Sequence, residues 1–269
     1  MIVMRPGPPR NGRRNAAVLA VLAAVASLAA AGGCARQPEW GSVAEAAGQR
    51  QRVECTGGTG PAVVLVHGIG DEAGSASFDA VRAELPEGRR SCRYDRPGAG
   101  DSPAPTRPGR DADALDRELD AVVRRAGGPV VLVGHSFGSY PVLYYALRHR
   151  DLVAGVVLLD GVDPQLGLRA ALGVTSLADA GTGEEALDLA AVEQQVRAAV
   201  AGAGPAPLAD TPLVVVRRDR SLTPQWTAAQ ERLAALSTGG SLVPASGSGH
   251  EVPHDAPAAV VDAIARVSG

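Results

Sequence analysis

Six short runs of mostly apolar, largely β-branched residues recur along the chain and constrain its fold more than any other feature. Most runs are continuously apolar rather than alternating, which is typical of strands buried on both faces of a parallel sheet. Helix-like segments separate them, so we predict an α/β fold with helices flanking a mostly parallel central sheet. The predicted strands are Ala62–Val66, Cys92–Asp95, Val130–Val133, Gly155–Leu159, Leu213–Val216 and Ser241–Val243.

Two segments, Ala112–Arg125 and Phe137–Arg150, carry apolar residues at helical spacing and are predicted to be helices that face the core. The segment 161–210 differs, because it is rich in Ala and Leu, is interrupted by Gly and contains no strand-like run. We interpret it as a small helical insertion, a cap, that lies over the functional site.

The first 33 residues have the layout of a secretory signal peptide, with arginines followed by the apolar run Ala16–Ala31. This run is shorter than the roughly 20 residues that a transmembrane helix needs. It ends in Ala31–Cys34 (Ala-Gly-Gly-Cys), which resembles the lipobox of bacterial lipoproteins, where the cysteine carries lipid. We therefore expect a signal peptide at 1–33, a lipidated tether at 34–49 and a folded domain at 50–269.

This interpretation implies an exported lipoprotein, anchored through Cys34 on the extracytoplasmic face of a cell membrane. Ordinary cleavage nearby, which would leave Cys34 as a free thiol, is the alternative. The export route, Sec or twin-arginine, stays open, because Arg13 and Arg14 lack the residues that should follow a twin-arginine pair.

Cys55 and Cys92 are the cysteines that remain if Cys34 carries lipid. Disulfides form and persist outside the cytoplasm, and Cys55 precedes one predicted strand while Cys92 lies in the next. We predict a disulfide between them, with two buried free thiols as the alternative.

The charge pattern argues against a partner that is a nucleic acid. The net charge is −3, and the 26 basic residues, all arginine, form no cluster in the predicted domain. We expect a small-molecule substrate instead.

The pentapeptide Gly134–Gly138 (Gly-His-Ser-Phe-Gly) matches the nucleophile-elbow pattern Gly-x-Ser-x-Gly. The motif alone is weakly specific, but the predicted strand Val130–Val133 precedes it and a helical pattern follows it, as an elbow requires. The turn strains the backbone at the serine, and only glycines avoid collisions beside it. Ser136 is therefore the candidate nucleophile.

From about Arg50 to its C-terminus the chain resembles the α/β-hydrolase family of lipases, esterases and related enzymes. Three further segments carry the resemblance in the family's order: a strand with a His-Gly turn, an Asp-Arg-x-Gly-x-Gly-x-Ser loop and the segment of the catalytic histidine. They are Val63–Gly70 (Val-Val-Leu-Val-His-Gly-Ile-Gly), Tyr94–Ser102 (Tyr-Asp-Arg-Pro-Gly-Ala-Gly-Asp-Ser) and Gly247–His250 (Gly-Ser-Gly-His). The resemblance implies the α/β-hydrolase fold and an enzyme without metal or cofactor.

By this resemblance Ser136 attacks the substrate and His250 is the general base. The backbone N–H groups of Ile69 and Phe137 are the expected oxyanion hole, which stabilises the charged oxygen of the tetrahedral intermediate. His67 and Arg96 are expected to brace loops, because neither occupies a triad position.

The acidic member of the triad is ambiguous in this sequence. In the family it follows the sixth or the seventh strand, between the serine and the histidine in chain order. Asp160 ends the run Gly155–Leu159, whereas Asp219 follows Leu213–Val216 after two arginines, where many relatives have a Gly first. We prefer Asp160 and keep Asp219 as the alternative; the residue that is not the acid would form a surface ion pair.

The segment His250–His254 (His-Glu-Val-Pro-His) also satisfies the zinc-protease string His-Glu-x-x-His. That chemistry needs both imidazoles on one helical face, and Pro253 together with the preceding glycines argues against a helix here. No obvious third ligand follows, so we expect no metal site.

The sequence thus predicts a serine hydrolase that cleaves an ester-type bond through an acyl-enzyme. The scarcity of aromatic residues in the predicted cap favours a small or aliphatic substrate. Proline aminopeptidase, carbon–carbon bond hydrolase and haloperoxidase activities stay open, because the fold does not fix the substrate. The alternative outside the enzymes is a non-catalytic lipoprotein that has the same fold and binds a ligand or partner. The sequence makes no prediction of the oligomeric state.

Overall fold

A single sheet organises the chain in a computed structural model, which describes residues 42–46, 48–70, 74–180 and 182–269. In chain order its strands are β1 (Ser42–Ala46), β2 (Gln49–Thr56), β3 (Thr59–Val66), β4 (Arg89–Asp95), β5 (Val130–His135), β6 (Val153–Leu159), β7 (Leu213–Arg217) and β8 (Ser241–Pro244). Their order across the sheet is β1-β2-β4-β3-β5-β6-β7-β8. β2 is antiparallel to β1 and to β4, and all neighbours from β4 to β8 run parallel.

The six predicted strands correspond to β3 to β8, so the prediction of a mostly parallel sheet is confirmed. The two antiparallel strands at one edge were not predicted. β1 lies inside the segment 34–49 that we interpreted as a tether, and β2 begins at Gln49. The predicted start of the fold near Arg50 is therefore wrong, since the sheet begins at Ser42. The short run Ser42–Ala46 carries little apolar signal of its own and is a strand because it pairs with β2.

Helices cover both faces of the sheet. They are α1 (Asp79–Glu84), α2 (Ala112–Ala126), α3 (Ser139–Arg148), α4 (Leu168–Leu172), α5 (Leu189–Gly202), α6 (Pro224–Ala234), α7 (Val252–Asp255) and α8 (Pro257–Arg266). The predicted helices at 112–125 and 137–150 are α2 and α3. The prediction at 137–150 runs long at both ends, because a 3₁₀ turn precedes α3 and His149 ends it.

The core follows the alternation of side chains along each strand. Ala62, Val64 and Val66 of β3 point to one face, where they pack with residues of α2, α3 and α6. Val63 and Leu65 point to the other face and pack with residues of α1 and α8. Both faces are apolar, which explains why the strands read as continuous apolar runs.

The segment 161–210 contains α4, α5 and two 3₁₀ turns, and its described residues form no sheet strand. Its apolar residues, including Leu168, Leu189 and Val192, form a cluster with Leu115 of α2 and Tyr140 of α3. The predicted helical cap is thus an insertion packed on two helices of the core domain.

Cys55 and Cys92, the pair predicted to form a disulfide, are joined by one between β2 and β4. The predicted signal peptide and Cys34 lie outside the described residues. In the part of the chain that the structure describes, no helix has the length and apolar character that a membrane span requires.

Candidate active site

Ser136 sits at a sharp turn between β5 and α3, at the carboxyl end of the parallel strands. Its φ of 53° lies in the left-handed region, which is strained for a residue with a side chain. The flanking glycines are required by close approach: a Cβ on Gly134 would lie 2.6 Å from the carbonyl oxygen of Gly138, and one on Gly138 would lie 2.3 Å from that of Val66. This is the strand, turn and helix that the elbow motif predicts.

His250 is hydrogen-bonded on both sides of its ring. Its Nε2 lies 2.9 Å from Ser136 Oγ, and its Nδ1 lies 2.6 Å from Asp160 Oδ2. Three side chains from separate parts of the chain thus form one hydrogen-bonded series. An imidazole in this arrangement is placed to accept the serine proton on one nitrogen while the carboxylate fixes the other.

Asp160 follows β6 directly and is completely buried. Its Oδ1 accepts hydrogen bonds from Trp226 Nε1 at 2.8 Å and from the backbone N–H of Arg218 at 3.2 Å. The Nε of Arg218 lies 2.7 Å from the other oxygen, Oδ2, in an ion pair. Every oxygen of this carboxylate has a partner, which is what burial of a charge requires.

Asp219, the alternative acid, is not brought to His250. It is exposed, and its carboxylate accepts the backbone N–H of Gly247 at 3.1 Å. Its own backbone N–H donates to the carbonyl of Ser248 at 3.1 Å. The predicted fallback, a surface ion pair, therefore differs from what the structure contains: Asp219 supports the loop that carries His250.

A pocket of about 330 Å³ opens beside Ser136 and His250. Ile69 lines it from the turn after β3, and Leu172 reaches it from the end of α4 in the cap. Phe137, the second predicted oxyanion residue, follows Ser136 directly, and its buried ring stacks with that of Tyr140 at 6.0 Å between centroids. Ile69 thus lines the same pocket as the serine, and Phe137 is its neighbour in the chain.

Arg96 is a fully buried side chain that braces the turn before Ile69. It donates hydrogen bonds to the carbonyl oxygens of His67 at 2.7 Å and Gly68 at 2.5 Å. Its Nε also pairs at 2.6 Å with Glu185, a buried carboxylate of the cap. His67 is buried as well, and burial followed by the charge of Arg96 holds the pKa of its imidazole well below the ordinary range. Both residues support loops, as the sequence predicted.

His135 is a pocket residue that the sequence analysis missed, although it lies inside the elbow motif. It is buried, its Nε2 lies 2.9 Å from the carbonyl oxygen of His250, and the two rings lie 4.9 Å apart. Burial, and then the charge of His250, lower the pKa of His135. A neutral ring here supports the loop of His250 without adding charge.

The two histidines of the zinc-protease string do not lie on one helix. α7 begins at Val252, after His250, and His254 is exposed and contacts Asp255. Ligand atoms of His135, His250 and Glu251 lie within 4.8 Å of one another. Both ring nitrogens of His250 are already engaged with Ser136 and Asp160, so we assign no metal to this group.

A model of the α/β hydrolase fold family matches residues 61–198, slightly more than half of the chain. The chain belongs to the α/β-hydrolase fold family. The match covers the elbow, the His-Gly turn, the loop of Arg96 and most of the cap.

Among curated proteins, this α/β hydrolase is similar to two lipases over part of their length. Lipase LipV of Mycobacterium tuberculosis (strain ATCC 25618 / H37Rv) is 37% identical over 111 residues, which are 40% of this chain and 40% of the relative. The sn-1-specific diacylglycerol lipase ABHD11 of Mus musculus is 31% identical over 103 residues, which are 37% of this chain and 32% of the relative. The chain thus spans less than half the length of these relatives.

Solved structures show the same fold over most of the chain. The thioesterase domain from the curacin biosynthetic pathway superimposes with a TM-score of 0.62 and 18% identity, covering 85% of this chain and 99% of that domain. At this identity the likeness concerns the fold alone.

Proposed function

We propose that this protein is a serine hydrolase that cleaves an ester-type bond through an acyl-enzyme. The observation that carries the proposal is the hydrogen-bonded series of Ser136, His250 and Asp160, with contacts of 2.9 Å and 2.6 Å. The series stands at a strained elbow beside an accessible pocket, which is the geometry that nucleophilic catalysis by serine requires.

The reaction proceeds in two halves. Ser136 Oγ attacks the ester carbonyl carbon while His250 Nε2 takes the hydroxyl proton, and the backbone N–H groups of Ile69 and Phe137 stabilise the oxyanion. Collapse of the tetrahedral intermediate breaks the bond to the alcohol, which leaves with the proton from His250. Water, deprotonated by the same imidazole, then attacks the acyl carbon. The bond from that carbon to Ser136 Oγ breaks, the acid leaves, and Oγ takes the proton back from His250. Asp160 holds the imidazole by Nδ1 throughout.

For the substrate we propose an ester with a small or aliphatic acyl group. Ile69 and Leu172 supply aliphatic walls to a pocket of about 330 Å³. The names of the two lipase relatives also indicate ester substrates. Equal turnover of short acyl esters and bulky aromatic esters would contradict this part of the proposal.

The decisive test is labelling of the full chain with a fluorophosphonate, followed by mass spectrometry of the modified peptide. We expect the label on Ser136 and hydrolysis of p-nitrophenyl esters by the same preparation, because both need a serine activated by His250. Ser136→Ala is the matched control and should take no label. A correctly folded wild type that neither labels nor hydrolyses any chain length would favour the alternative, a non-catalytic binding protein.

We also propose that Cys34 carries lipid and anchors the exported protein to the outer face of a cell membrane. The support is the signal-peptide layout and the sequence Ala31–Cys34. Cys34→Ala should move the protein from the membrane fraction to the soluble fraction on cell fractionation. Retention of this variant in the membrane fraction would contradict the anchor.

A further inference from the structure

The loop after β7 brings a positive charge to the carboxylate that holds His250. Arg218 Nε lies 2.7 Å from Asp160 Oδ2, the same oxygen that His250 Nδ1 contacts at 2.6 Å. Asp160 is completely buried, and the Arg218 side chain is only 19% exposed. This carboxylate oxygen therefore has a hydrogen bond to the imidazole and an ion-pair contact with the guanidinium, whose Nε does not have the geometry of a hydrogen bond.

Further contacts fix Arg218 in this position. Its guanidinium carbon lies 4.3 Å from the centroid of the Trp226 ring, and its backbone N–H donates to Asp160 Oδ1 at 3.2 Å. Trp226 Nε1 donates to the same oxygen at 2.8 Å. Stacking on an aromatic face orients a guanidinium, so this pair is held more firmly than an exposed ion pair between flexible side chains.

Two electrostatic consequences follow from this arrangement. A buried carboxylate needs compensating charge to stay ionised, and Arg218 supplies it. The same positive charge opposes protonation of the neighbouring His250, because like charges repel. Loss of the Arg218 charge is therefore expected to favour the imidazolium form of His250, which cannot take the serine proton.

We propose that Arg218 is a positioning residue of this site: it supplies the counter-charge of the buried Asp160 carboxylate, and through that carboxylate it sets the lower pH limit of activity. The inference rests on the proposed serine-hydrolase function, in which His250 is the base. It also gives a role to Arg218, the first residue after β7, which contacts the acid at the end of β6.

Other charged or titratable groups also face His250. Asp160 contacts it from the end of β6, His135 from β5, and Glu251 follows it in the chain. Arg220 forms an ion pair with Asp255 at 3.9 Å, beside the loop that carries His250. His135 is held neutral by burial, so it adds no positive charge.

The test compares pH profiles of kcat/KM for a p-nitrophenyl ester and of the rate of fluorophosphonate labelling, both on the full chain. Arg218→Gln should move the acidic midpoint of both profiles upward by about one pH unit or more, as loss of a neighbouring charge does. The ratio of variant to wild-type activity should therefore be about tenfold lower at a pH below both midpoints than at alkaline pH. Arg218→Lys, which keeps the charge, should restore a midpoint near that of the wild type.

The matched control is Arg220→Gln, which removes the same charge from the same loop without a contact to Asp160. Its midpoint should stay at the wild-type value. An unchanged midpoint in folded, active Arg218→Gln overturns the proposal. Arg218→Met, which keeps an apolar stem against Trp226, is the second neutral variant. If neither neutral variant folds by circular dichroism, Arg218 is a structural residue and the proposal also fails.

Failure of the underlying function is a separate result. It appears in the wild type, as absence of both ester hydrolysis and label on Ser136, before any arginine variant is compared. Failure of the inference alone leaves the wild type active and the Arg218 profiles superimposed on it.

Discussion

Replacement of Asp160 by asparagine is expected to lower kcat by about 10⁴-fold, as the corresponding change does in other enzymes with this triad. The amide carries no charge to stabilise the imidazolium that forms when His250 accepts the serine proton, and it favours the wrong tautomer of the ring. Asn also tolerates the left-handed backbone of this position, where φ is 44°. The variant therefore tests the charge and not the turn.

The matched control is Asp219→Asn, measured with the same ester and the same fluorophosphonate. Its side-chain oxygen still accepts the Gly247 N–H, which Asp219 contacts at 3.1 Å, so we expect activity within a few-fold of the wild type. The reverse ranking, with a large loss only for Asp219→Asn, would assign the acid to the end of β7. Equal small losses in both variants would mean that catalysis does not use a triad.

The sheet was largely predictable, because burial on both faces leaves continuous apolar runs in β3 and in the strands from β5 to β7. β1 was not predictable, since the residues Ser42–Ala46 carry weak strand signal and pair only because β2 lies beside them. The elbow was predictable because its glycines avoid a steric collision between residues that are close in sequence, such as Gly134 and Gly138.

The triad acid could not be identified from local sequence patterns. Asp160 and Asp219 both follow strands that end at the same edge of the sheet, so position in the sequence favoured Asp160 but did not exclude Asp219. What separates them is long-range: Trp226 and Arg218 enclose Asp160, whereas Asp219 turns to Gly247. The pairing of Arg96 with Glu185 was equally hidden, because these residues are 89 positions apart.

That pair joins the cap to the loop that supports Ile69. Arg96 is fully buried, and its Nε and Nη2 lie 2.6 Å and 3.2 Å from the two carboxylate oxygens of Glu185. Its Nη1 and Nη2 also donate to the carbonyl oxygens of His67 and Gly68. A neutral residue at 185 would leave this guanidinium in the interior with hydrogen-bond acceptors but without its directly paired counter-charge, since the nearby Glu118 pairs with Arg110.

Glu185→Gln is accordingly expected to lower the free energy of unfolding by about 3 to 5 kcal/mol, the usual cost of removing one partner of a buried ion pair. Urea denaturation of the full chain measures this as a fall in the transition midpoint at similar slope. The control is Arg124→Gln, which breaks the pair of Arg124 with Asp120 on α2, where the arginine side chain is 71% exposed. There we expect a much smaller fall in the transition midpoint, because solvent screens an exposed ion pair. Similar small losses in both variants would show that Arg96 does not depend on the charge of Glu185 and would contradict this prediction.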